Sequence, residues 1–366
     1  MRASPLLAVL VAAGSIQTAR ARDPDIERLL KKLPPPEKII RSEIAPGVRL
    51  SDPIFQDPLA EQLDKAVKAK NIPRALGHAR KLVQRHPRSL VGHLLNGIYA
   101  IQLGQNAEAA TAFRTAVNLQ PNVSMAQFGL GMALGAQNQF AAALPHLKRA
   151  TELEPKAGPA WLYLSVCAER LGRKQQSVEA ARRATQLQPR SVDTWGQLAR
   201  AENAMGRPRE ALAALSKAAE LAPDNAPLLA TIGMAYINLD RPAEAVRPLQ
   251  RAVQLAPQHF LLQSQLGFSL YAAGQTDRAI THLRKGAGLN SSYGPVWQHL
   301  GLAYRKKGQH REALQAFEKA TRLMPRNRSS WSHLAEEYRL AGRAAEANRA
   351  AARAKSLPNG VMQLGV

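Results

Sequence analysis

Small, large apolar and polar positions return along this chain with one fixed period. Pro87, Pro121, Pro155, Pro189, Pro223 and Pro257 stand 34 residues apart, Ser291 takes the next place, and Pro325 resumes in phase. Ten residues after these positions come Gly97, Gly131, Ser165, Ala199, Gly233, Gly267, Gly301 and Ala335, all small enough to let two helices approach. Two further small columns open with Ala109, Ala143 and Ser177 and with Ala116, Ala150 and Ala184, and large apolar residues lie between them. A fourth column reads Gly104, Asn138, Gly172, Gly206, Asp240, Gly274, Gly308, Gly342. Only Gly, Asn and Asp occur there, the residues that best tolerate the left-handed conformation that stops a helix. Each period therefore predicts a helix, a left-handed stop, a second helix and a proline stop. Pro145 and Pro248 fall inside second helices and are expected to kink them.

All four tryptophans, Trp161, Trp195, Trp297 and Trp331, occupy the column six residues after the proline position. The stretch Trp297-Gln298-His299-Leu300-Gly301-Leu302-Ala303-Tyr304, followed by Ala313, Phe317 and Pro325, resembles the tetratricopeptide repeat, W-x2-L-G-x2-Y, A-x3-F and a late Pro. The resemblance implies an all-α fold, a right-handed superhelical solenoid of helix-turn-helix repeats. The expected repeats are 90–123, 124–157, 158–191, 192–225, 226–259, 260–293, 294–327 and 328–361, with a tail at 362–366. A degenerate repeat, 56–89, precedes them; it keeps Ala75 and Pro87 but has Lys70 where the glycine stop belongs. The last helix, rich in Arg and Ala, is expected to cap the stack with a polar outer face.

Outside the periodic frame, residues 1–21 look like a secretory signal: Arg2, an apolar run from Leu6 to Ala13, then Ala19-Arg20-Ala21. The run is too short to span a membrane, which takes ~20 apolar residues, and no later stretch qualifies. The expected location is therefore outside the cytoplasm, periplasmic or secreted. Residues 22–55 read as a leader with Pro34-Pro35-Pro36 and one short helix from Asp25 to Leu33. The leader could lie in the groove as an internal ligand, or act only as a spacer. The lone cysteine, Cys167, excludes an intrachain disulfide and falls on a packed helix face.

The formal charge of +23 invites an anionic partner. Export argues against nucleic acid and leaves an anionic envelope surface as one option. Residues 294–366 carry thirteen Lys or Arg against five Asp or Glu, a local +8. The basic column Arg149, Arg183, Lys217, Arg251, Lys285, Lys319 lies on second helices and reads as a solvated face.

No catalytic chemistry emerges. Gly129-Leu130-Gly131 with Gly135 has the wrong spacing and context for a dinucleotide loop, and no phosphate loop, H-E-x-x-H or C-x-x-C is present. His299 and His333 share a column but sit one repeat apart, too far for a common metal when helices stand ~8–10 Å apart. We expect no enzyme activity, no cofactor and no metal.

The resemblance implies instead that first helices line a concave surface, reached by residues 4, 7, 8, 11, 14 and 15 after the proline position. At its start these are apolar: Met125, Phe128, Met132 and Tyr163, with Leu94, Leu95, Ile98, Leu162 and Val166. Gln197, Arg200, Asn203, Asn238, Gln265 and Tyr271, with Phe268, follow. The far end carries Gln298, His299, Arg305, Lys306, His333 and Arg339. Methionines and aromatics suit adaptable apolar contacts, and Asn, Gln and Arg can hydrogen-bond a peptide backbone or carboxylate. The expected partner is a protein or peptide. Leu94 with Ile98, and Phe128 with Met132, lack the Lys and Asn with which some family members clamp a chaperone C-terminus.

Overall fold

The computed structural model describes residues 52–358, so the expected signal, nearly all of the leader and the tail at 362–366 lie outside the described residues. Asp52 caps a short 3-10 turn, Pro53–Gln56. Eighteen α-helices follow among the described residues: α1 (Pro58–Lys68), α2 (Ile72–Arg85), α3 (Leu90–Gln102), α4 (Asn106–Leu119), α5 (Ser124–Gly135), α6 (Phe140–Leu153), α7 (Gly158–Arg170), α8 (Lys174–Leu187), α9 (Val192–Ala204), α10 (Pro208–Leu221), α11 (Ala226–Asn238), α12 (Pro242–Leu255), α13 (Phe260–Ala272), α14 (Thr276–Leu289), α15 (Gly294–Lys306), α16 (His310–Leu323), α17 (Arg328–Leu340) and α18 (Ala344–Ser356). The described residues contain no strand, and the chain is an all-α helical-repeat solenoid.

The described residues divide into two units between Met205 and Gly206. The repeat 192–225 thus places its first helix, α9, in the N-terminal unit and its second, α10, in the C-terminal unit. Within each unit, first helices of adjacent repeats (α3 with α5, α5 with α7, α7 with α9; α11 with α13, α13 with α15) approach one another more closely than second helices do. Each stack therefore curves with first helices on its inner side.

The local reasons for the elements follow the columns. Every described residue of the stop column has positive φ, from Asp240 at 58° to Gly274 at 80°. Lys70 does too, at 54°, so the degenerate repeat keeps the left-handed stop without the residue suited to it. Most first helices start on a side-chain cap, as where Ser89 Oγ accepts from the Gly92 amide at 2.8 Å and Asn327 Oδ1 from the Ser330 amide at 2.9 Å, or with proline in the first turn; α5 and α13 start with neither. The small column ten residues after the proline position sits under a large side chain of the second helix. A Cβ on Gly301 would lie 2.5 Å from the Phe317 ring, and one on Gly131 2.6 Å from Leu147. Where serine replaces that glycine, hydroxyls stitch the helices instead: Ser165 Oγ donates to Ser177 O at 2.8 Å and Ser177 Oγ to Ser165 O at 3.0 Å.

The tryptophan column has a hydrogen-bonding purpose. Trp161, Trp195, Trp297 and Trp331 donate their indole N–H to the carbonyl six residues back, at 2.8–3.0 Å. Gln127 and Gln263 make the same bond at 2.8 Å, and His93 Nε2 lies 3.0 Å from Pro87 O. Beside each of those two glutamines stands a histidine of the second helix, His146 at 2.7 Å and His282 at 2.8 Å. Burial lowers the pKa of both, which favours the neutral ring.

Pro145 and Pro248 do not break their helices: α6 and α12 run for 14 residues, like the uninterrupted α8 and α14. The carbonyls each proline leaves without a donor belong to Ala141 and Glu244, exposed residues where water can take the place of the missing N–H. Cys167 is buried in the N-terminal unit's core.

Candidate functional site

In the N-terminal unit the inner face starts apolar. Met125 and Phe128 are half-buried on α5, and Met132 is buried one turn further. Phe128 meets Tyr163 edge-on at 5.4 Å between centroids. Tyr163 is 2% exposed, its hydroxyl has no hydrogen-bond partner, and burial pushes its pKa well above the usual value. Leu94, Leu95, Ile98, Leu162 and Val166 are buried as well.

Further along the face turns polar and ties itself together. Gln197 is fully buried; its amide donates to Ser165 Oγ at 3.0 Å and to Glu169 Oε2 at 2.8 Å. Arg200, half-buried, donates to Gln197 Oε1 at 3.1 Å and lies 3.7 Å from the Glu169 carboxylate. Asn203 is half-buried beyond it.

In the C-terminal unit Asn238, Lys306 and Arg339 are exposed. Gln265, Tyr271, Arg305 and His333 are half-buried, and Gln298 and His299 are buried. Lys306 holds its ammonium 5.3 Å from the Tyr271 ring centre. Gln298 Oε1 accepts from Ser330 Oγ at 2.9 Å. Arg305 is the centre of a network. It pairs with Glu336 at 2.8 Å and with Glu337, donates to His333 O at 2.8 Å, and lies over Phe317 at 5.0 Å. Glu337, 1% exposed, also takes His310 Nδ1 at 3.1 Å.

Two expectations need correction. The position eight residues after the proline was expected to line the face; it mostly forms the joint between successive first helices. Tyr163 packs on Phe128, Gln197 on Ser165 and Glu169, and His299 on Phe268 at 4.6 Å between ring centres. Burial lowers the His299 pKa to about 4, so the ring is neutral at pH 7. His333 is half-buried, stacks on Phe317 at 5.3 Å and has its pKa lowered by burial and then by Arg305. The second correction concerns Arg200 and Arg305. Both were expected to reach for a ligand, and both are engaged by carboxylates of this chain: Glu169, Glu336 and Glu337. Reading cations alone missed these acids. The signal was present in the frame, because Glu336 and Glu337 fall 31 and 32 residues after Arg305, nearly one period.

Among the described residues no group of three or more His, Cys, Asp or Glu side chains gathers as a metal site, and no helix is long and apolar enough to cross a membrane. The Met125, Phe128, Asn203, Asn238, Tyr271, Lys306 and Arg339 side chains remain as groups that an extended or helical segment could touch on the inner faces.

Several solved structures are similar to this chain at low identity. MamA from Desulfovibrio magneticus RS-1 is 21% identical over 48% of this chain and 99% of that one, with a TM-score of 0.44. YrrB, described as a TPR protein with an unusual peptide-binding site, is 20% identical over 61% of this chain and 97% of that one, at 0.39. The Cut9–Hcn1 assembly is 18% identical over 85% of this chain and 62% of that one, at 0.41. No curated protein matches the chain. Residues 55–292 match the family described as the cilia and flagella-associated protein 70 C-terminal domain, and residues 294–327 match the tetratricopeptide repeat. Family match, period, left-handed stops and stacked helix pairs agree, and the chain belongs to the tetratricopeptide-repeat family.

Proposed function

We propose that this chain is an exported, non-catalytic scaffold that holds a peptide or protein segment on the inner faces of its helix stacks. The observation that carries the reading is the chemistry left accessible there: Met125 and Phe128 in one unit, Asn238, Tyr271 and Lys306 in the other. Apolar anchors supply contact area and amide or ammonium groups fix orientation, on a surface that needs no rearrangement to bind. Export rests on the signal-like residues 1–21, and a place in cell-envelope assembly is the corresponding role. YrrB, a repeat protein named for its peptide-binding site, is a precedent for the kind of ligand.

The test is affinity capture from a native envelope fraction with the full chain and with a Phe128→Ala, Asn238→Ala, Lys306→Ala variant. Partners should be lost from the variant and kept by a control altered on second helices at Arg183 and Lys285. Equal recovery on variant and parent would refute inner-face binding.

A second reading has its own support. Arg311, Arg322, Arg326, Arg349, Arg353 and Lys355 are exposed in the basic C-terminal repeats and suit an anionic envelope polymer or lipid. Binding of that kind weakens steeply as salt rises, whereas apolar anchoring at Phe128 does not.

A further inference from the structure

In the C-terminal unit a groove of about 440 Å³ opens between two second helices, α12 and α14. Arg247, Gln250, Arg251 and Gln254 of α12 line it, with Ala243 and Val246, and Gln275 closes it at the start of α14. Among the described residues no carboxylate lines this groove. The acids nearest in sequence are each engaged: Asp224 by Arg251 at 2.5 Å, Glu244 by Arg241 at 2.9 Å and Asp277 by Lys307 at 2.5 Å. Arg247 is exposed and pairs with no carboxylate among the described residues. Guanidinium groups also orient the three glutamines. Arg278 donates to Gln275 Oε1 and, at 3.4 Å, to Gln250 Oε1, and Arg251 donates to Gln254 Oε1 at 3.1 Å. A guanidinium only donates, so each of these amides turns its oxygen to an arginine and leaves its N–H groups for an acceptor.

The repeat frame marks this place as an exception. Glu108 takes the guanidinium of Arg80, on the second helix before it, at 2.6 and 2.8 Å. Its column continues with Ala142, Gln176, Glu210, Glu244, Arg278, Glu312 and Glu346. Only Arg278 reverses the charge, and Gln250 stands in the column of Arg80. The ion pair of the early repeat has become a cation and an amide. Arg278 is exposed, so packing does not require the reversal.

Donors from two helices suit an anion that accepts in several directions. A carboxylate accepts in one plane, whereas the oxygens of a phosphate are arrayed around a tetrahedron and also meet guanidinium forks. Arg247 and Arg251 are neighbours one turn apart on α12, and Arg278 joins Gln250 to Gln275 across the groove. Several linked phosphates match that spread of donors. We infer that the groove between α12 and α14 binds a short chain of linked phosphates. The site goes beyond the partner-binding reading and is independent of it, since it lies on second helices and its ligand is not a protein.

The test is calorimetric titration of the full chain with tripolyphosphate at fixed ionic strength. Arg247→Ala and Arg278→Glu, the latter restoring the residue usual in its column, should each weaken binding at least about tenfold, the loss of a charge-assisted contact. Should Arg278→Glu lower the helical content, Arg278→Gln takes its place with the same expected fall. An Arg311→Ala, Arg349→Ala control should stay within about twofold of the parent, because exposed charges outside the groove are largely screened. No binding by the parent, or equal affinity of parent and groove variants, overturns the inference. An equal fall in the control assigns binding to diffuse charge and overturns it too. So does citrate bound as tightly as tripolyphosphate, which would make this a carboxylate site. Adsorption to phosphatidylglycerol vesicles without tripolyphosphate binding would assign the groove to lipid headgroups and also overturn it. Phe128, Asn238 and Lys306 do not line the groove, so envelope capture and this titration can fail separately.

Discussion

The two units carry the same columns and put different chemistry into them. In the N-terminal unit the inner columns hold Leu94, Ile98, Met132 and Val166, and the core runs almost unbroken from Ile54 to Ala180. In the C-terminal unit the same two columns start with Ala230, Met234 and Phe268, which are still apolar and join or border the core, and end with Gln298, Ser332 and Glu336, while Arg305, Lys306 and Arg339 stand about one turn further along their first helices. A repeat fold fixes where side chains go through its packed columns, and leaves the inner columns to be set by what they touch. The C-terminal unit then spends its polar groups partly on itself. Arg305 joins α15 to α17 through Glu336 and Glu337, so stability there leans on a buried carboxylate as well as on packing.

The sharpest way to break this contrast is Glu337→Ala. It leaves Arg305 without its buried partner and should cost about 4 kcal/mol, read as an earlier urea transition of the C-terminal unit. Phe317 and Leu334 should lose protection against hydrogen exchange in their helices, with α3–α7 unchanged. A shift below about 1 kcal/mol would mean that Arg305 and Glu337 are peripheral to stability.

Next in size is a pH effect centred on His299. Its folded pKa, about 4, lies below the unfolded value near 6.5. Above pH 6.5 the ring is neutral in both states and stability is full. As pH falls from 6.5 to 4 the unfolded chain takes up a proton that the folded chain refuses, and stability drops by about 3 kcal/mol before levelling off. His299→Leu should flatten most of this dependence, leaving the smaller contributions of the lowered His146, His282 and His333, which have the same sign.

Gly301→Val should cost about 2 kcal/mol by overpacking against Phe317. Gly196→Ala, where a Cβ would meet nothing within 4 Å, should leave the unfolding midpoint unchanged or slightly raised. A further variant sets packing against binding. Phe128→Ala, at a half-buried site, should lower stability by about 1 kcal/mol, but should weaken partner capture more than Lys306→Ala does if the apolar unit supplies the anchors.

Much of this fold was legible because a helix pair repeated without insertion averages out local ambiguity. The left-handed stops follow from Gly104, Asn138 and Asp240 sharing a column, and the close helix contacts from the glycines opposite Phe317 and Leu147. Lys70 was not legible, because the packing around a degenerate repeat imposes a conformation its side chain does not favour. The inner face was read less well. Period and spacing tell which side of a helix a residue occupies. Gln197 and His299, however, lie at the edge where one first helix meets the next, and a shift of one residue around the helix, about 100°, moves a side chain from surface to joint. The carboxylates that bind Arg200 and Arg305 went unread because pairing across repeats depends on how neighbouring first helices lie, which spacing within one repeat does not reveal.

The central claim is that partners are held on first helices. Site-specific photo-crosslinking in the native envelope fraction tests it most directly, with the photoreactive residue placed at Phe128, Asn238 or Lys306 and, in parallel, at Arg183, Arg251 or Lys285 on second helices. Adducts to the same partner are expected from the first set and none from the second. Adducts from the second-helix positions alone, or equally from both, would contradict it.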